Sequence, residues 1–492
     1  MANINIRLNK NFTTQFNKMN EKYGEEFAQL QGLSDAQMSY TDFISNFIDK
    51  DTIADASIDG NANVSRKDIV TLLSEMAKPH RKLLAFNKIY YELNKAYGFK
   101  EANQIMEDMW NYSVYLHDFD TSTFVPYCFA YDLKPIAEKG LFFIDGYNAV
   151  APKHLDSFIQ ILMEAVAFLT RRASGACGLP NLIPYLYYFW SRDVRDGYYT
   201  KSPEIYRDQQ IQALIYRLNQ PWVRQDQCAF TNVSIFDHPY FEAIFGGSVF
   251  PDGTPMIDEE EEILEFQKAF INVVNEVRED NVFTFPVLTA SLLYQNEKFV
   301  DEEYARWACE ASRKWNLFNF FTDSSVNSLS NCCRLKSDIT DLYFNSIGGT
   351  ALEVGSVKVS TLNLARVAYR SKDEKEFLIN LKELLERNLK LLHIIRHIIK
   401  RNVEKGLLPN FTYNLINFEH LYNTVGVNGV SEAIKNFGLV EVDELGNTYY
   451  TDDAYEFGKR IFKVIHNTID NFCLDKDYKV NVEQAPKSSV GA

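Results

Sequence analysis

The feature that most constrains this chain is a recurring switch of pattern. From "PKHLDSFIQILMEAVAFLTRR" onward, a helical stretch gives way to a glycine-rich break, then an apolar run, then another helix. Such alternation predicts an α/β architecture, because helices and buried strands cover one another's apolar faces. The 492 residues hold no internal repeat, low-complexity tract or Pro/Gly-rich linker that would cut the chain. Large α/β barrels often run as one unit at this length. Residues 1–55, polar and loosely helical, read as an N-terminal extension, and residues 56–492 as one continuous body.

Composition closes off several function classes. Hydrophobic residues make up 46% and charged residues 24%, so a folded globular chain is expected. The formal net charge of -15 argues against a sequence-independent nucleic-acid binder, which neutralises phosphates with clustered Lys and Arg. The start, "MANINIRLNKNF", has no signal-peptide pattern, and no apolar run approaches the ~20 residues a spanning helix needs. A cytoplasmic protein, with neither nucleic acid nor membrane as partner, is the expectation. Seven scattered cysteines with no C-x-x-C pair read as reduced thiols rather than a disulfide framework or a structural zinc site.

Several local elements are readable. "NVSRKDIVTLLSEMAKPH" predicts a helix capped by Ser65, and "FVPYCFAYDL" is an aromatic, β-leaning run with Cys128 in its middle. "EKEFLINLKELLERNLKLLHIIRHIIKRNVEKG" predicts a long amphipathic helix, acidic early and basic late, stopped by Gly406. "LVEVDELGNTYYTDDAYEFGKRIFKVI" predicts two short strands around a Gly446-Asn447 turn, then a helix capped at Thr451 or Asp452. The acidic run Asp258 to Glu262 is read as the solvated first turn of a helix.

Four constellations are candidates to carry chemistry. His393 and His397, four apart on one helical face, have a metal-ligand spacing, but a bare H-x-x-x-H on an amphipathic helix is read as packing and no metal is assigned. "YNTVGVNGVSEAIKNFG" places Gly426 and Gly429 between an apolar run and a helix, where backbone N–H groups suit a phosphate; an ordinary strand-to-helix turn looks the same. "NSIGGTALEVGS" offers a second glycine-rich turn at Gly348 and Gly349. Finally, "SLSNCCRLKSD" sets Cys332 beside Cys333 after small polar residues. On an extended strand only one of two neighbours faces a given cavity, and reactivity needs a thiolate or a radical.

In combination these segments resemble one family. "DGNANVSRKDIV", "YLHDFDTSTFVPYCFAYDL", "AFTNVSIFD", "SLSNCCRL", "NSIGGTALEVGSVKVSTLNLARVA" and "RNVEKGLLPNFTYNLINFEHLYNTVGVNGVSEA" are similar, in this order, to segments of the anaerobic, class III ribonucleoside-triphosphate reductases. The resemblance covers about residues 55 to 486. "SNCC" also resembles the "SN-x-C" centre of the aerobic and cobalamin-dependent reductases, a register that makes Cys333 the radical residue. The family implies a ten-stranded barrel of two five-stranded parallel half-sheets around a central finger loop, with helices outside. Cys333 at the loop's tip would become a thiyl radical and abstract the 3′ hydrogen of a ribonucleotide. Cys128 matches the second catalytic cysteine, the acid for loss of the 2′ hydroxyl.

The same resemblance makes Ser330 and Asn331 candidates to bond the ribose, and His117 a further substrate-binding candidate. The turn holding Gly426, Asn428, Gly429 and Ser431 becomes the triphosphate seat. Aerobic relatives carry a glutamate two residues after the radical cysteine; here that position is Leu335, which fits formate, or a thiol protein, as reductant. A homodimer controlled by deoxynucleotide effectors is expected. Family members also carry a four-cysteine zinc site and a radical-bearing glycine in a C-terminal region. Neither motif is found before "YKVNVEQAPKSSVGA", and Gly491 is rejected as the radical glycine. The expectation is a large catalytic part, with no metal of its own, that takes its radical from a separate glycyl-radical polypeptide. S-adenosylmethionine and an iron–sulfur cluster belong only to an activating enzyme. The alternatives are a pyruvate formate-lyase-like glycyl-radical enzyme and a non-catalytic nucleotide-binding relative.

Overall fold

The computed structural model describes residues 8–24, 41, 45, 69–144, 146–220, 223, 228–280, 283–326, 328–330, 336–338 and 354–484. Its strands are, in chain order, β1 (Val114–Leu116), β2 (Cys128–Ala130), β3 (Cys177–Gly178), β4 (Thr231–Phe236), β5 (Val287–Gln295), β6 (Lys298–Phe299) and β7 (Phe318–Asp323). They continue with β8 (Ser328–Ser330), β9 (Lys336–Asp338), β10 (Gly355–Asn363), β11 (Leu421–Asn428), β12 (Val440–Val442), β13 (Thr448–Tyr450) and β14 (Val480–Gln484).

Ten of these form one sheet built of two parallel halves. In the first half β2, β3, β4, β5 and β7 pair parallel in that order. In the second β10, β11 and β14 pair parallel. The halves run in opposite directions and meet at an antiparallel seam of two residue pairs, Gly355 with Phe129 and Ser356 with Cys128. β1 and β6 are added antiparallel, along β10 and β5. The α/β class, the ten-stranded sheet and the paired half-sheets that the resemblance implies are therefore present, with helices around them; the first half has the five parallel strands expected, and the second has three among the described residues, with β1 added antiparallel.

Burial explains the parallel pairing. β4 is buried at every position, and β10 and β11 at all but their last, as parallel strands covered on both faces must be. The outer face of the sheet is aliphatic and aromatic. Phe129, Val233, Ile235, Leu288, Leu292, Val357, Leu421, Val425 and Val427 join the main core there with the helices. The helix Leu155–Thr170 packs on β3, Leu182–Asp196 on β4, and Glu374–Glu404 on β10 and β11.

The predicted local elements are found with small shifts. Glu374–Glu404 is one helix; the Asp373 carboxylate caps its first turn by accepting from Glu376 N–H, and Gly406 follows its end at φ 71°. The Gly446 turn, at φ 83°, joins β12 to β13, and Thr451 caps the helix Asp452–Cys473. The acidic run spans a 3-10 turn, Met256–Glu259, and the start of the helix Glu260–Asp280. The helix predicted from Ser65 is described from Ile69 to Tyr97, and Ser65 lies outside the described residues. Near the start, Lys10–Tyr23 is a helix whose Phe12 is fully buried against Phe86 and Tyr90. Burying a phenyl ring contributes about 1.5–3 kcal/mol.

A buried carboxylate ties the first half-sheet's helices together. Asp193, fully buried, accepts from Leu155 N–H at 2.8 Å and Tyr206 Oη at 3.1 Å, and lies 2.7 Å from His154 Nδ1. The N-terminus of one helix is thereby fastened to the last turn of the next. Among the described residues no helix is long and apolar enough to cross a membrane.

Candidate active site

The inner face of the sheet is chemically unlike the outer one. Side chains alternate along a strand, so the neighbours of the outward Phe129, Val233, Leu288 and Leu292 turn inward: Cys128 and Ala130, Asn232 and Ser234, Thr289 and Ser291. All six are buried. Cys128 belongs to a small separate cluster with Ala176, on which Tyr127 and Phe230 pack. Small and polar groups on a buried face leave room and hydrogen-bonding capacity for a polar ligand.

The seam brings the second half-sheet to Cys128. Ser356, its antiparallel partner, shares a 2.8 Å hydrogen bond with Thr424 of β11, and Thr424 Oγ1 donates to Asn481 Oδ1 of β14 at 2.8 Å. This chain of contacts runs across three strands on one face. Glu483, two residues beyond Asn481 and paired with Gly426, points the same way. Its Oε2 is buried and, among the described residues, has no hydrogen-bond partner. Burial, and after it the charge of the Cys128 thiolate, push the Glu483 carboxyl up to about 8. The cause is the one expected when a carboxylate loses water without gaining a cation. At neutral pH Glu483 is therefore held as the neutral acid.

The approach of the two halves depends on Gly355. A Cβ at that position would stand 2.1 Å from the Cys128 carbonyl oxygen and 2.9 Å from Phe129 Cα. Only glycine allows the seam to close, which in turn fixes the backbone that carries Cys128.

His117 follows β1 and is buried. Its Nε2 lies 2.8 Å from Thr361 Oγ1, and its ring meets Tyr127, the neighbour of Cys128, edge-on at 6.0 Å. Burial first, and the Lys358 charge second, push the imidazole down to about 3, so it is neutral. Lys358 is fully buried and donates to the His117 carbonyl oxygen. Burial pushes its ammonium down to about 7, against the pull of Asp118 and Asp120.

The glycines of the expected phosphate turn do not form one turn. Gly426 lies within β11, opposite Thr361 and Glu483, and Asn428 closes that strand opposite Asn363. Gly429 caps the seven-residue helix Val430–Asn436 at φ 82°. A Cβ there would stand 2.7 Å from Ala365 N, so close packing of two short helices already requires glycine. Ser431 Oγ accepts from Tyr450 Oη at 2.7 Å. Asn331, Cys332 and Cys333 lie outside the described residues, as do Gly348, Gly349 and Gly491. Ser330 ends β8, which pairs antiparallel with β9.

His393 and His397 stand together on the Glu374–Glu404 helix, with Nε2 atoms 3.0 Å apart. His393 Nδ1 lies 2.7 Å from Tyr478 Oη. Among the described residues no group of three or more His, Cys, Asp or Glu side chains is placed to hold a metal ion.

Sequence reasoning missed Glu483, Asn481, Thr424 and Lys358. One signal was available: "VNVEQ" alternates apolar and polar residues, which marks a two-faced strand. An alternating strand ordinarily turns its polar face to water, so the pattern does not reveal that both faces are covered.

The chain's similarity to known proteins agrees with this geometry. The family model described as anaerobic ribonucleoside-triphosphate reductase matches residues 77–492. No curated protein matches. Among solved structures, the anaerobic ribonucleotide reductase from Thermotoga maritima in complex with dATP and CTP is 33% identical; the match covers 99% of this chain and 78% of that one, with a TM-score of 0.88. The same enzyme with dATP bound in the specificity site gives 33% identity over 99% of this chain and 79% of that one, at a TM-score of 0.86. A further anaerobic ribonucleotide reductase is 33% identical over 100% of this chain and 76% of that one, with a TM-score of 0.87.

Proposed function

Because the chain belongs to the anaerobic ribonucleoside-triphosphate reductase family, we propose that its polar inner face reduces ribonucleoside triphosphates to deoxyribonucleoside triphosphates by thiyl-radical chemistry. Cys333 is the hydrogen-abstracting residue. Its thiyl radical takes the 3′ hydrogen of the ribose and returns a hydrogen once C2′ has been reduced. A glycyl radical supplied by polypeptide other than these residues, and formed by a radical S-adenosylmethionine enzyme, generates that thiyl.

The departing 2′ hydroxyl takes the C–O electron pair and a proton from Cys128, and leaves as water. Formate or a thiol supplies the two electrons that the sugar then needs. Asn331 and Ser330 bond the ribose, while His117, held neutral and fastened to Thr361, lines the substrate side of Tyr127. The triphosphate lies toward Asn428, Gly429 and Ser431, where β10 and β11 end together; ligands of open parallel sheets commonly bind past such ends. A homodimer that answers to deoxynucleotide effectors completes the reading.

The observation that carries it is the placement of Cys128. A buried thiol on the sheet face that also carries Asn232, Ser234 and Thr289, and paired across the seam with Ser356, which bonds Thr424 of the second half-sheet, supports proton donation to a sugar. The test combines the chain with a glycyl-radical polypeptide and its activating enzyme under strict anaerobiosis, with nucleoside triphosphate and formate or a dithiol. Deoxynucleotide is expected from the wild type and none from Cys333→Ala or Cys128→Ala. Continued turnover by Cys333→Ala refutes the assignment.

A further inference from the structure

We propose that Glu483 is the proton source for Cys128, reloading the thiol after it has given its proton to the departing 2′ hydroxyl. The proposal rests on the radical reading above and adds a residue to it.

The geometry has three parts. Glu483 lies on the same face of β14 as Asn481, which is hydrogen-bonded through Thr424 to Ser356, the seam partner of Cys128. Its neighbour across the strand pair is Gly426, which sets no side chain beside the carboxyl. Its Oε2 is buried and unpartnered among the described residues. A buried polar atom left without a bond is unfavourable by roughly 1–3 kcal/mol, and structural carboxyls of this kind normally find a donor. A carboxyl kept neutral, and near enough to Cys128 for that thiolate's charge to raise its proton affinity, has a use in proton transfer.

The proton balance is simple. The C2′–O bond breaks with its electron pair on oxygen, the Cys128 proton completes water, and Sγ is left as a thiolate. The Glu483 O–H bond then breaks, its proton forms a new S–H bond, and the carboxylate regains a proton from solvent as product leaves. No electrons move in this step. A carboxyl whose proton affinity is raised by burial to about 8 still carries its proton at neutral pH, so it has one to give to a newly formed thiolate. The ionisable group facing Glu483 from β2 is Cys128. From β11 the inward positions are Tyr422, Thr424 and Gly426, and from β14 Asn481.

Glu483→Gln is the direct test, because glutamine copies the size and neutrality of a protonated glutamate and removes only the transferable proton. In the reconstituted anaerobic assay, deoxynucleotide formation is expected to fall about a hundredfold. Wash-out of label from the substrate's 3′ position should persist, since abstraction by Cys333 precedes the step. Wild-type activity should decline above pH about 8, Glu483→Asp should restore part of the rate, and Glu483→Gln should lose the basic limb of the profile. A wild-type rate and profile in Glu483→Gln, with Cys333→Ala and Cys128→Ala inactive, overturns the proposal and leaves the radical reading intact. Turnover by Cys333→Ala instead overturns the radical reading, and the proposal with it. Infrared difference spectra of the chain alone give a second readout. A protonated-carboxyl band at pH 7 should be present in wild type and missing in Glu483→Gln, and its absence from wild type overturns the proposal without any turnover assay.

Discussion

Gly355→Ala perturbs the seam by one methyl group, and the structure gives the size of the effect. The added carbon would stand 2.1 Å from the Cys128 carbonyl oxygen and 2.9 Å from Phe129 Cα. Both are backbone atoms, so no side chain can rotate away. Relief requires β2 and β10 to part by about 1 Å, which is the scale at which overpacking costs about 1–3 kcal/mol. A displacement of about 1 Å in a catalytic group lowers rates by roughly a hundredfold, and here the displaced residue carries the proposed acid. Urea unfolding followed by tryptophan fluorescence should show a lower midpoint, and the anaerobic assay should show the loss of rate. Gly458→Ala is the control: the position is helical and a Cβ there meets nothing within 4 Å, so it should stabilise by about 0.5–1 kcal/mol. If Gly355→Ala unfolds with the wild type and turns over normally, close backbone contact at the seam is not what holds Cys128 in place.

Asp193→Ala should destabilise by about 3 kcal/mol or more, since it strips partners from Leu155 N–H and Tyr206 Oη, both buried; an unchanged melting temperature refutes that role. Thr424→Val keeps the shape of the side chain but leaves Ser356 and Asn481 without their shared partner. A loss of about 1–3 kcal/mol is expected, and an unchanged unfolding midpoint contradicts it. Lys358 gives a pH test. Its folded-state pKa is depressed to about 7, so between that value and the ordinary lysine range the unfolded chain binds the proton more tightly. Stability should therefore rise as pH climbs from 7 toward 9 and fall as pH drops through 7. Lys358→Met should flatten this slope in urea midpoints measured across the range, and an identical slope rules the lysine out.

What the sequence disclosed and what it hid divide along a physical line. Local signals were readable wherever one or two residues settle the backbone. Asp373 and Gly406 bracket the long helix, Gly446 turns the hairpin, and Thr451 caps the helix that follows. Cys128 could be placed on a strand by its aromatic neighbours, although its proposed role came from resemblance alone. Gly426 was read as part of a turn because glycine commonly marks one, but it continues β11 between Thr361 and Glu483. Glu483 and Asn481 were passed over because their environment is made by residues far away in the chain. Ser356, Thr424 and Cys128 reach them only through strand pairing across the seam, and no window of sequence contains that information. Lys358 was hidden for the same reason, since a lysine in an apolar strand gives no sign that a carbonyl from a distant turn will receive it.

The opposed directions of the two half-sheets bear on how the molecule comes into being. β2 waits for a partner more than two hundred residues downstream, and β14 is added to β11 later still. Pairings of such long range are slow to form. As a ribosome releases the chain, the five-stranded half can settle first, with Cys128 along its unfinished border. The polar face around Cys128 is completed only after the second half has docked, so assembly itself delays the moment at which that thiol is covered.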